Sequence, residues 1–127
     1  MSSASAGGPQ TVERLEVWQR GMGVVEMVYK LTLNWPADER YGLTSQVRRA
    51  AVSVPANIAE GIGRATPGEI SRFCRIALGS AYEVHTLLNL AERLKLNSAP
   101  DLSSILAELA TLTRQLSAFI RYQENKR

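Results

Sequence analysis

Thr66-Pro67-Gly68-Glu69 opens a helix and suits nothing else. It joins a capping hydroxyl, a proline whose fixed φ and missing N–H fit the first helical position, and a glutamate three residues after the cap. Behind it Ile70, Phe73, Ala77, Ala81, Val84, Leu88 and Ala91 recur at helical spacings, so a helix is predicted over 67–96, about 40 to 45 Å long. Ala and Leu dominate the apolar residues while aromatics make up 6%, the composition of packed helices rather than of a β-sandwich.

Three further helices read the same way. The first spans 12–34, with Leu15, Trp18, Met22, Val25 and Tyr29 on one stripe. A second stripe of Val17, Val24, Val28 and Leu31 lies roughly 200° away, so this helix is apolar on two nearly opposite sides. Trp35-Pro36 ends it, because the residue before proline is driven out of the α region. The second helix spans 44–62, capped by Thr44 or Ser45 and closed by Gly61 or Gly63, with Leu43, Val47, Ala51, Val54 and Ile58 inward. Pro55 lies inside it and predicts one kinked helix in preference to two short ones. The fourth spans 101–123, with Leu102, Ile105, Leu109, Leu112, Leu116 and Phe119 on one face.

Short links between these segments predict an all-α fold, an antiparallel up-down-up-down four-helix bundle over 12–123. Residues 1–11 are expected to be a disordered tail without the features of a secretion signal, and 124–127 a C-terminal tail. No stretch reaches the roughly 18 apolar residues of a membrane span, so no membrane partner is expected. Cys74 is the only cysteine, which excludes an internal disulfide and suits a reducing cytoplasm. One core cannot cover both sides of the first helix, nor the small residues Ala77, Gly79, Ser80 and Ala81 of the third. Self-association through Val17, Val24, Val28, Leu31 and those four residues is therefore expected.

Residues able to do chemistry are sparse. His85 and Cys74 lie on one helix about 16 Å apart, too far for a nucleophile and its base. No carboxylate and histidine spacing suits a di-metal site, and the glycines at 61, 63 and 68 are not followed by the Lys-Ser/Thr of a phosphate loop. No catalytic residue, metal or cofactor is expected, and the chain reads as a non-enzyme. Charge is more informative. Of a net +3, residues 40–75 carry +4, from Arg40, Arg48, Arg49, Arg64, Arg72 and Arg75 against Glu60 and Glu69. These arginines are expected to converge around the 61–68 turn, where they would hold nucleic-acid phosphates, RNA or DNA, without regard to sequence. The competing reading gives them to ion pairs and subunit contacts. Aromatic interleaving is thin: Phe73 sits among the arginines but at a core position, so base stacking has little support.

The run over 41–61, YGLTSQVRRAAVSVPANIAEG, closely resembles the signature of a bacterial family of four-helix-bundle proteins whose founding members are encoded in intervening sequences of 23S ribosomal RNA genes. The likeness extends from Leu15-Glu16-Val17-Trp18-Gln19 through Arg72-Phe73 and Ile76-Ala77-Leu78-Gly79-Ser80 to Leu87-Leu88, and departs at His85 and Leu87, where many relatives carry Glu and Gln. The resemblance implies a homopentamer around a central channel, a basic surface in which Arg40, Arg48, Arg49, Arg64 and Arg72 match the pattern, and no known catalytic activity. It also implies a relative, the accessory protein of diversity-generating retroelements, which binds a reverse transcriptase and nucleic acid. Two functions are thus expected in order: an oligomeric nucleic-acid-binding protein, RNA before DNA, or a protein-interaction scaffold or reverse transcriptase accessory.

Overall fold

The structure, a computed structural model, describes residues 8–97 and 99–126. Among them are five α-helices and no strand: α1 (Pro9–Glu13), α2 (Glu16–Thr32), α3 (Leu43–Arg64), α4 (Pro67–Arg93) and α5 (Ala99–Glu124), with a 3₁₀ turn at Ala37–Glu39 between α2 and α3. No helix among the described residues is long and apolar enough to cross a membrane.

The boundaries differ from the expected ones where a local signal was overridden. Residues 1–7 of the expected tail lie outside the described residues, but 9–11 belong to α1, started by Gly8-Pro9 and anchored by buried Val12. Leu15 is extended (φ −81°, ψ 126°), so the first long helix begins afresh at Glu16. α3 starts at Leu43, ahead of both expected caps, because Glu39 Oε1 accepts the Leu43 N–H at 3.1 Å. It runs unbroken past Pro55 and past both glycines expected to stop it, closing at Ala65 in the left-handed conformation (φ 71°). α4 begins as predicted, Thr66 Oγ1 accepting the Glu69 N–H at 3.2 Å. It ends at Arg93, where Lys95 turns left-handed (φ 63°) and the Leu96 N–H reaches back to the Ala91 carbonyl at 2.9 Å. Glu124, assigned to a tail, is the last residue of α5, and Arg127 lies outside the described residues.

α3 packs on α2 and on α4, and α5 packs on both α4 and α2. The inward stripes of α3 (Leu43, Val47, Ala51, Val54, Ile58) and α5 (Leu102, Ile105, Leu109, Leu112, Leu116) are buried, as their spacing predicts, and Ile120 joins them. Trp35 is the one buried aromatic side chain among the described residues. Its Nε1 donates to Asn97 Oδ1 at 3.0 Å, tying the α2–α3 link to the α4–α5 link.

α2 departs from its expected allocation of faces. Val17, Val24, Val28 and Leu31, assigned to contact with another copy, are buried in this chain's own core, whereas the expected core stripe is split: Leu15, Trp18 and Val25 pack partly buried against that core, and Met22 and Tyr29 are exposed. The two stripes are equally apolar, so fit decides. The buried one contains Gly21, whose missing side chain would meet Val54 Cγ1 at 3.4 Å, and the narrow valine stripe lets α2 lie close on α3. The small residues of α4 are corrected likewise. Ala77 and Ala81 are fully buried in the core, Ser80 shares a hydrogen bond with Ser53 at 2.8 Å, and only Gly79 is exposed.

Two glycines of α3 give a paired test. A Cβ on Gly61 would lie 3.0 Å from Phe73 Cβ and 3.2 Å from Ile70 Cα, while nothing lies within 4 Å of one on Gly63. Gly61→Ala is expected to lower unfolding free energy by about 1–3 kcal/mol through overpacking. Gly63→Ala should raise it by up to about 1 kcal/mol through helix propensity. Urea denaturation of the two variants measures both.

Candidate functional site

The six arginines do not converge on the 61–68 turn. Arg48 and Arg64 sit on one helix sixteen residues apart, about 24 Å along its axis, and the set divides in two.

At the α3–α4 turn the charges are matched. Arg64 and Arg72 lie over the Phe73 ring, 4.8 and 4.4 Å from its centroid. Both bind Glu69, at 3.5 and 3.3 Å, and Arg64 also binds Glu60 at 3.2 Å. Two guanidiniums facing two carboxylates leave no local excess of positive charge. One turn further along α4, Arg75 pairs with Glu124 at 2.6 Å, and the same carboxylate accepts the Ser71 hydroxyl. All three of these arginines are thus engaged by carboxylates of their own chain.

The other end of α3 is different. Arg40, Arg48 and Arg49 line a groove of about 700 Å³ together with Tyr29, Tyr41, Val52, Ala56 and Asn57, and among the described residues none of the three has an acidic partner. Arg48 is held in place without being neutralised. Its Nε donates to Thr32 Oγ1 at 2.8 Å, and its guanidinium lies 4.3 Å from the centroid of the Tyr29 ring. Thr32 is fixed in turn by donating to the Val28 carbonyl at 2.9 Å. The terminal nitrogens of Arg48 thus remain for an anion while the stem and plane are already ordered. Arg40 and Arg49 are exposed on the rim, and Tyr41, 90% exposed, stands beside Arg40. At the far end Asn57 donates to the carbonyl and the hydroxyl of Ser53 at 2.8 and 2.9 Å.

Charge and spacing along the chain place neither tyrosine in a site. Tyr29 is separated by nineteen residues from the arginine it supports, and only the docking of α2 on α3 brings them together. Tyr41 was detectable, an aromatic adjacent to an arginine in a polar link. Cys74 and His85 are not brought together: Cys74 is buried, which pushes its thiol up to about 11, while His85 is exposed. Among the described residues no three His, Cys, Asp or Glu side chains are grouped to hold a metal ion.

A second polar cluster fastens α2 to α5. Arg20 donates to Glu108 (2.9 Å), Glu16 (3.1 Å) and Gln115 (3.1 Å), and Gln115 donates to Glu16. The hydrogen bond from Arg20, with that from Gln115, holds the Glu16 carboxyl below its ordinary value of 4.5. The bond from Arg72 does the same for Glu69.

The family model described as 23S rRNA-intervening sequence protein matches residues 13–118, a span that includes the groove and both arginine groups. No curated protein matches the chain.

Because Glu16 and Glu69 titrate lower when folded than when unfolded, the native chain binds fewer protons near pH 4. Their contribution to stability is complete above about pH 5 and is lost as pH falls through the lowered folded values. The urea midpoint should therefore drop on acidification below about pH 5, and more gently in Glu69→Gln than in the parent chain. An identical decline in both would remove Glu69 from this account.

Proposed function

The chain belongs to the 23S rRNA-intervening sequence protein family, and from that premise we propose that it is a non-enzymatic, homo-oligomeric protein that binds nucleic acid, RNA in preference to DNA, through the groove at the start of α3. One observation carries this reading: Arg40, Arg48 and Arg49 line a single groove, and among the described residues no carboxylate lies within ion-pair distance of any of them. Phosphate is the anion that such a set suits, since guanidinium groups bind it in paired, charge-assisted hydrogen bonds. The absence of catalysis is supported by the sealed, protonated Cys74 and its distance from His85. A cytoplasmic setting accords with the unpaired cysteine.

The architecture we infer for the functional unit is an antiparallel up-down-up-down four-helix bundle of α2 to α5, bent at Pro55. It is supported by contacts that run in opposite order along successive helices: the end of α3 lies on the start of α4 (Gly61 against Ile70 and Phe73), their middles meet (Ser53 with Ser80), and the start of α4 meets the end of α5 (Ser71 with Glu124). Self-association is supported by apolar side chains that the chain leaves exposed, Met22 and Leu33 on and just after α2, Ile76 and Leu90 on α4. The family resemblance gives five copies. The same exposed side chains favour the second reading, a scaffold or reverse transcriptase accessory that docks protein there.

Fluorescence anisotropy with a labelled RNA oligonucleotide tests the leading reading. Affinity should fall with salt at a slope near −2 in log units for about three phosphates per subunit. Arg49→Ala should reduce that slope by about 0.7, whereas Arg72→Ala should leave it nearly unchanged. Thr32→Val, which frees the Arg48 side chain without altering charge, should weaken binding a fewfold through lost preorganisation. RNA binding that is absent or independent of salt would leave the scaffold reading. Light scattering is expected to give about five times the 14.0 kDa chain mass, and a mass of 14.0 kDa would rule out self-association.

A further inference from the structure

We infer that the groove selects unpaired nucleotides over duplex, with Tyr41 as the stacking platform; this rests on the nucleic-acid reading above and narrows it. Three features of the groove point the same way. Tyr41 presents 90% of its surface to solvent in the link before α3, next to Arg40, so its ring is open to a stacked base beside a cation positioned for that nucleotide's phosphate. Tyr29 and Arg48 form a fixed layer, ring under guanidinium at 4.3 Å, and the plane of a guanidinium accepts a base as an aromatic ring does. Beyond Arg48 along α3, Val52 and Ala56 add apolar lining, ended by the Ser53 and Asn57 pair, in a volume of about 700 Å³ that suits a small organic ligand and hence one or two nucleotides.

A duplex cannot use these features. Its bases are stacked inside a convex cylinder, so it would meet only the rim arginines, Arg40 and Arg49, and gain only backbone attraction. A strand with unpaired bases meets the same arginines and adds stacking in the concavity. An acidic peptide would likewise meet the arginines, but it would leave Tyr41 without a role.

The test uses the full chain, a labelled unstructured 12-nucleotide RNA, and the same strand annealed to its complement. Single-stranded RNA is expected to bind at least about tenfold more tightly than the duplex. Tyr41→Ala should weaken single-strand binding by about 5- to 100-fold while changing duplex binding less than about twofold, and Tyr41→Phe should retain the single-strand affinity. Tyr41 is exposed, so circular dichroism should show both variants folded as the parent. Equal affinity for the two RNAs with a neutral Tyr41→Ala would overturn this inference and leave backbone binding standing. Failure of both RNAs to bind at low salt would overturn the nucleic-acid reading with it. Competition by polyglutamate as effective as by unlabelled RNA would assign the arginines to an acidic protein partner and overturn both.

Discussion

The close approach of α2 to α3 is the contact on which the rest of the molecule depends. Gly21 faces Val54 and Pro55 with no side chain between them, and Val24 and Val28 continue the seam without solvent exposure. Larger side chains on that stripe would push the helices apart, because a close-packed interior yields little to an added methylene. The same seam sets the distance between Thr32 and Arg48 and lays Tyr29 under the guanidinium. Core packing and the candidate site are therefore one construction. Arg48 is ordered by helix docking rather than by an acidic partner, which leaves its charge unmatched within the described chain.

The arrangement of charge along α3 and α4 separates two uses of arginine. Around Phe73 the guanidiniums are stacked and matched by Glu60 and Glu69, a set of largely exposed pairs that together give the turn little net charge. At the opposite end Arg48 is stacked in the same manner but bonded to a neutral hydroxyl. The difference of one acceptor type, carboxylate or hydroxyl, decides whether a stacked arginine is spent on its own chain or left for another molecule.

How far the fold was legible followed how local each signal was. The Thr66-Pro67-Glu69 start acts within one turn and was read correctly, and the Leu102 to Leu116 stripe has a polar opposite face that allows one orientation. α2 offered two apolar faces of equal chemistry, and only the shape of α3 at Val54 and Pro55 chooses between them. Glycine at 61 carries the signal of a helix stop but in the fold gives clearance to Ile70 and Phe73, while the left-handed stop falls on Ala65, a residue that carries no such signal. At the site, the charge excess of residues 40–75 was plain, but closeness along the chain was mistaken for closeness in space. A rise of 1.5 Å per residue already separates Arg48 from Arg64. Tyr29 stayed hidden because its role exists only across a helix interface.

Cys74 has a consequence of a different kind. Fully buried in α4, with a thiol raised to about 11, it is shielded from oxidants and alkylating reagents for as long as the helices remain together. The chain thereby carries an internal reporter: the pace at which this lone thiol becomes reactive in a native solution measures how often the interior around α4 breathes open.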